Sequence, residues 1–180
     1  MQRLIGLLAI LVCLVVGVQV HAADRLGKEL ANAFMGGCLQ ALPDLDKIEA
    51  AAKALDWKPL EGDMARMMAP KAPDAKWKGW LANQPPAPPY MIAISSGIFR
   101  GDEMAICTVS NPYAPVTEVL PHLKKALGLG HPIGDESSAG QRTRIWQIEM
   151  DGAPAFVSLL DAELMGEPGL TLSGMMKAEK

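Results

Sequence analysis

The chain is poor in the side chains that hold metal ions and in the basic runs that bind nucleic acid. Its 180 residues include 3 histidines and 3 cysteines, and neither type recurs at the short spacing of a zinc site. Its 17 basic and 20 acidic residues give a formal net charge of −3. An acidic chain without a basic run is poorly suited to nucleic acid or an anionic membrane surface. We therefore expect no metal, no cofactor and no nucleic-acid partner.

The chain also lacks the short motifs of common catalytic sites. No Gly-x-Ser-x-Gly sequence marks a hydrolase nucleophile, and no glycine-rich loop follows a predicted strand as a nucleotide site requires. Neighbouring carboxylates such as Asp102 and Glu103 fall in predicted turns, where the pKa values of two acids are rarely driven apart. No catalytic residue is predicted. An envelope enzyme without a signature, most simply a hydrolase, stays an alternative.

One hydrophobic run, at the beginning of the chain, has the pattern of a secretory signal. Arg3 precedes an uncharged apolar run from Leu4 to Val18, and Val20-His21-Ala22 places small residues where a signal peptidase reads them. An apolar run of about 15 residues is shorter than the ~20 of a spanning helix. We predict a signal peptide over residues 1–22 and export to the periplasm or beyond, without later membrane insertion. A retained membrane anchor is the alternative.

Cleavage of the signal peptide simplifies the cysteines. Cys13 leaves with it, so that Cys38 and Cys107 remain. Two cysteines in an exported chain most simply form a disulfide, because that compartment is oxidising. Such a bond would restrict the unfolded chain by about 4 kcal/mol in the loop-entropy model. Two free thiols are the alternative.

Helical periodicity dominates the first part of the exported chain. A stripe of apolar residues recurs at every fourth position and predicts a helix that buries Cys38. Its members are Leu26, Leu30, Phe34, Cys38 and Leu42. After Pro43 a second amphipathic helix is predicted, with Leu45, Ile48, Ala52 and Leu55 on one face. These two helices form a predicted hairpin, and Pro115–Leu127 is a further helix.

Strand-like segments follow. Five are predicted, with tight turns at Arg100-Gly101-Asp102 and Asp151-Gly152. They are Tyr90–Phe99, Glu103–Ser110, Arg142–Met150, Ala153–Leu160 and Leu170–Met176. The glycine-rich stretch at 128–141 is interpreted as a mobile loop. The order of elements predicts one α+β domain over residues 23–180, with its helices on one face of an antiparallel sheet of about five strands.

Residues 70–89 are interpreted as a proline-rich irregular loop. Trp77 and Trp80 lie in its middle. Because exposed aromatic side chains are enriched where proteins bind partners, and long ordered loops often carry function, these two residues are the candidate binding surface. The alternative is that both indoles pack down as part of the core.

Methionine offers a further possibility. Met64, Met67 and Met68 stand together on a predicted short helix, and thioethers are ligands that suit Cu(I). The same spacing is that of an ordinary amphipathic helix, so we assign the three residues to the core. Copper handling through methionine is kept as an alternative function.

The chain resembles small uncharacterised exported proteins of proteobacteria. The resemblance rests on Phe34-x-x-x-Cys38, on a helix that ends in Leu55-Asp56-Trp57, and on Ile106-Cys107-Thr108-Val109 followed by Asn111-Pro112. It covers roughly residues 30–127. It implies an envelope location and supports the Cys38–Cys107 pairing, and it implies no activity.

Together these features predict a non-catalytic periplasmic or secreted module. Its ligand would be a partner protein or a small molecule, and neither the ligand nor the oligomeric state follows from the residues.

Overall fold

The computed structural model describes residues 25–71, 75–83, 88–99 and 101–178. The predicted signal peptide over residues 1–22 lies outside these ranges. The first described element, α1, is α-helical over residues 25–33 and continues as a π-helical turn, Phe34–Cys38, and a 3-10 turn, Leu39–Ala41. The other helices are α2 (Asp46–Ala54), α3 (Gly62–Met68) and α4 (Val116–Leu127).

Eight strands in the described residues form one antiparallel sheet. Their spatial order is β1-β2-β3-β4-β8-β7-β6-β5. In chain order they are β1 (Lys58–Pro59), β2 (Trp77–Ala82), β3 (Tyr90–Phe99), β4 (Asp102–Asn111), β5 (Gly134–Ser138), β6 (Gln141–Met150), β7 (Ala153–Asp161) and β8 (Leu170–Lys177). The α+β class is therefore confirmed.

Helices α1, α2 and α4 bury apolar residues against one face of this sheet. Phe34 of α1, Ile48 of α2 and Val119 of α4 belong to one cluster of buried side chains. The strands contribute alternate residues to the same cluster, among them Ile92 of β3 and Val157 of β7. Since successive residues of a strand point to opposite faces, this alternation defines the covered face. The four-residue stripe of α1 is confirmed, with Leu30, Phe34 and Cys38 at most 1 % exposed.

The predicted disulfide is present and joins the two layers. Cys38 at the end of the π turn is bonded to Cys107 in the middle of β4, with their Cα atoms 5.3 Å apart. Both cysteines are fully buried. The bond therefore holds α1 against the centre of the sheet.

The expected number of about five strands was wrong, because the sheet has eight strands in the described residues. Strand β2 lies in the middle of residues 70–89, for which the sequence predicts a proline-rich irregular loop. Strand β5 lies in the glycine-rich stretch at 128–141, and β1 has only two residues. Each of the three gains its hydrogen bonds from a neighbouring strand and has little apolar alternation of its own, so the local pattern did not reveal it.

Close packing between helices occurs at Gly27 of α1 and not at the adjacent glycines Gly36 and Gly37. A Cβ at Gly36 would meet no atom within 4 Å, and one at Gly37 only Ile92, at 3.9 Å. A Cβ at Gly27 would lie 2.5 Å from the carbonyl oxygen of Glu118. The backbone of α1 therefore approaches the first turn of α4 at Gly27, and only glycine fits there.

Candidate functional site

The main candidate site is a cavity of about 610 Å³ between α1, the segment after α4 and strand β6. We call it the β6 groove. Apolar side chains from all three elements line it, namely Met35, Leu39, Leu127, Ile148 and Met150. The exposed residues Gln40 and His131 also line it. The lining therefore combines apolar side chains with polar side-chain and main-chain groups in similar measure, at a volume usual for ligand sites.

The segment after α4 is held in place as one wall of the β6 groove. The helix ends at Gly128, whose φ of 63° is the left-handed conformation that glycine adopts without strain. The indole N–H of Trp146 then donates a hydrogen bond of 3.0 Å to the carbonyl oxygen of Gly130. Trp146 itself is buried in β6. The bond therefore positions Leu129–His131 relative to β6.

Helix α1 forms the opposite wall. The π turn Phe34–Cys38 places Phe34 and Cys38 in the core, while Met35 and Leu39 line the groove. Short π-helical turns inside α-helices are frequent at functional sites. Because the disulfide at Cys38 holds this turn to β4, the width of the groove is set by a covalent bond as well as by packing.

A buried ion pair lies beside the groove on the covered face of the sheet. Arg144 of β6 donates from Nη2 to Asp161 of β7 over 2.5 Å, and the two side chains are 10 % and 1 % exposed. Arg144 Nε is buried with no hydrogen-bond partner in the described residues. Asp161 also lines a separate cavity of about 320 Å³ at the first turn of α4. We assign the pair a structural role, since it joins β6 to β7 inside the core.

A second apolar cavity, of about 460 Å³, is bordered by α3 and the ends of β2 and β3. We call it the methionine cavity, because Met64, Met67 and Met91 line it. The assignment of the α3 methionines to the core was wrong for Met64 and Met67, which are 41 % and 64 % exposed. Burial raises the pKa of Tyr90, which also lines this cavity.

The candidate binding residues Trp77 and Trp80 lie in strand β2. They are three positions apart, so their side chains point to opposite faces of the sheet. Trp80 packs half-buried against the core cluster on the covered face. Trp77 is also half-buried and borders a cleft of about 300 Å³ next to Lys78, whose ammonium bonds Glu49 at 2.6 Å. The two indoles therefore do not form one surface, and a binding role for Trp77 stays a prediction.

Hydroxyl groups on the other face of the sheet pair with one another across strands. Ser110 donates to the carbonyl oxygen of Leu170 over 3.1 Å and lies 2.9 Å from the hydroxyl of Thr171. Thr108 and Ser173 form a similar pair at 3.0 Å. These contacts between β4 and β8 use the hydroxyls in strand pairing, so we place no nucleophile among them.

Among the described residues, no group of three or more histidine, cysteine, aspartate or glutamate side chains is placed to hold a metal ion. No helix in the part of the chain that the structure describes is long and apolar enough to cross a membrane.

Comparison of the chain with protein-family models, curated proteins and solved structures gives no match. The function is therefore argued from the geometry of this chain alone.

Sequence reasoning missed the β6 groove. Its members Met35, Leu127 and His131 come from segments far apart in the chain, and none stands in a motif. One signal was present: Trp146, Ile148 and Met150 alternate at the end of a strand, with no matching segment before Gly134 to pair with them. A strand longer than its partner leaves an edge, and that edge lies in the groove.

Proposed function

We propose that this chain is a non-catalytic binding module of the periplasm or the extracellular medium, and that the β6 groove is where it binds its partner. The observation that carries the proposal is the groove itself, a cavity of about 610 Å³ whose walls come from three elements and combine apolar side chains with polar groups. The buried Cys38–Cys107 disulfide is consistent with an oxidising compartment, as are the residues of the predicted signal peptide. The ligand is a protein segment or a small molecule of the cell envelope.

The test uses a photo-crosslinking amino acid placed at Gln40, which is exposed and lines the groove. Ala54, exposed at the end of α2, is the matched control position. We expect crosslinks in the host envelope at Gln40 and not at Ala54. Filling the groove by Ala126→Trp should abolish them, while Ala54→Trp should leave them unchanged.

Crosslinks of equal yield at the two positions, or crosslinks that Ala126→Trp leaves intact, would place the binding surface elsewhere. Native mass spectrometry of the protein purified from its host covers a small-molecule ligand. A bound mass should then be present in the wild type and absent after Ala126→Trp.

The methionine cavity supports copper handling as a second candidate function. Met64, Met67 and Met91 bring three thioethers to one cavity, and thioethers are soft ligands that select Cu(I). The disulfide uses Cys38 and Cys107, so no thiolate among the described residues competes for the metal. Exposed methionines are otherwise costly, because they leave apolar surface in water.

Competition for Cu(I) with a chromogenic chelator, under anaerobic conditions, tests this candidate. Met64→Leu with Met67→Leu should remove binding, since leucine conserves the volume but not the sulfur. Met165→Leu is the control, because Met165 is exposed and outside the cavity. Equal Cu(I) affinity of wild type and double variant would exclude the site.

A further inference from the structure

Strand β6 has a free edge inside the β6 groove. Its neighbour β5 pairs with it only from Gln141 to Ile145, whereas β6 continues to Met150. Beyond that ladder the described residues contain a single main-chain bond to the preceding segment, from the N–H of Ile133 to the carbonyl oxygen of Ile145, over 2.7 Å. The last five residues of β6 therefore have a strand neighbour on one side only in the described part of the chain.

The turn between β6 and β7 settles which main-chain groups are free. Asp151 and Gly152 have φ of 51° and 78°, as in a two-residue turn whose flanking residues exchange hydrogen bonds. Met150 therefore bonds Ala153, and alternate residues back along β6 also point to β7. The residues between them, Gln147 and Glu149, point their N–H and C=O groups the other way.

Those four groups face the groove, whose lining includes Gln147 and Glu149 although their side chains belong to the opposite face of the sheet. No main-chain partner for them occurs in the described residues. They repeat at the spacing of alternate strand residues, about 6.7 Å. A row of donors and acceptors at that spacing matches the main chain of another extended segment.

The two outermost strands of the sheet carry features that oppose such pairing. Strand β1 is two residues long, and one of them is Pro59, which has no N–H. Strand β5 is short and polar, and its Asp135 accepts two hydrogen bonds from Arg142. Short edges, prolines and charges are the usual means of preventing unwanted strand addition. The free end of β6 has no proline, and its one charged side chain, Glu149, lies on the face of the sheet opposite the covered one.

A strand added beside the free end of β6 would enter the groove. A strand lies about 4.8 Å from its neighbour, and its side chains alternate between the two faces. On the covered face, side chains of an added segment would meet Met35, Leu39 and Leu127. On the other face they would stand beside the exposed side chains of Gln147 and Glu149.

We infer that the ligand of the β6 groove is an extended peptide segment of a partner protein, added to the sheet as a ninth strand beside β6. This inference rests on the proposed binding role of the groove and specifies its ligand. The segment carries an apolar side chain at every second position, because alternate residues face Met35, Leu39 and Leu127. Hydrogen bonds to Gln147 and Glu149 supply the register, and the apolar pockets supply the selectivity.

The probe is a phage-displayed library of random seven-residue peptides, selected on the protein without its signal peptide. We expect the wild type, relative to the groove-filled Ala126→Trp variant, to enrich peptides with apolar residues at alternate positions. In the best synthetic peptide, N-methylation of the amides that face β6 should weaken binding about tenfold, since each blocks one hydrogen bond. N-methylation of the alternate set should leave binding unchanged.

Proline at position 149 tests the same bonds from the protein side. Glu149→Pro removes an N–H that takes no part in the ladder with β7, a position where strands tolerate proline. It should weaken the peptide about tenfold, as the N-methyl series does. Glu149→Gln keeps the N–H and should bind normally. Ser137→Pro, on the outward side of β5, is the matched control and should also bind normally.

The outcomes separate the ligand from the site. If the library gives no enrichment while Gln40 still crosslinks a partner that Ala126→Trp releases, the groove binds something other than a strand and the inference is wrong. Binding that survives both Glu149→Pro and the N-methyl series contradicts it equally. If a small molecule or a second copy of the chain is released by Ala126→Trp, with no peptide enriched, the inference also fails. If neither a crosslinked partner, a small molecule nor a peptide depends on the groove, the proposed function itself is wrong.

Discussion

Removal of the Cys38–Cys107 disulfide should destabilise the protein by an amount that can be worked from its position. The two cysteines are 69 residues apart. In the loop-entropy model, closing a loop of that length lowers the entropy of the unfolded chain and so raises its free energy by about 4 kcal/mol. Both residues are fully buried, so Cys38→Ala with Cys107→Ala also loses packing at the sulfur positions. For a domain of this size the melting temperature should fall by roughly 10 °C.

The change in stability is measured on the chain without residues 1–22, by urea denaturation with tryptophan fluorescence and by thermal unfolding with circular dichroism. Reduced and refolded wild type is the control, because it loses the bond and keeps the sulfur atoms. The reduced wild type should show most of the decrease in the free energy of unfolding that the double variant shows. If the free energy of unfolding of the double variant lies within about 1 kcal/mol of the wild-type value, the bond does little to restrict the unfolded chain.

Three further predictions concern buried and charged contacts. Asp161→Asn should lower the free energy of unfolding by about 3–5 kcal/mol, because it leaves the charge of Arg144 buried. In a double-mutant cycle, replacing Asp161 and Arg144 together by leucine should cost far less than the sum of the two single leucine changes. Additive losses would contradict this. Gly27→Ala should lower the free energy of unfolding by about 1–3 kcal/mol, since its Cβ meets the α4 backbone; an unchanged urea midpoint would refute it. The hydrogen bond from Arg142 lowers the pKa of Asp135 in the folded protein. The stability that this ion pair contributes is therefore present above the pKa of Asp135 in the unfolded chain, and is lost as the pH falls through its pKa in the folded protein. NMR titration should place the midpoint of Asp135 below 3.8, and a midpoint at 3.8 or above would contradict this.

The elements with strong periodicity were predictable. The apolar stripe from Leu26 to Leu42 and the Asp151-Gly152 turn give local signals, because each places side chains or φ values that favour one structure. The pairing of Cys38 with Cys107 followed from their being the two cysteines outside the predicted signal peptide. All three are properties of short segments or of composition, and the structure confirms each of them.

Other features depend on segments of the chain that pack beside them in the folded protein. Strand β2 was interpreted as loop because prolines flank it, and its pairing with β3 outweighs that local signal. Strand β5 has no apolar alternation and forms because the two-residue turn at 139–140 brings it against β6. The exposure of Met64 and Met67 could not be read from helical spacing, which shows that residues share a face but not what covers it.

By itself the sequence determined the helix stripe, both hairpin turns of the central strands and the cysteine pair, since local periodicity and turn chemistry carry that information. Tertiary structure alone decided where the candidate site lies. Met35, Leu127 and Ile148 line one cavity because α1 and the end of α4 pack beside β6, which is longer than its neighbour β5. The free edge of Gln147 and Glu149 is a difference in length between two paired strands, and that difference exists only once β5 and β6 are in register.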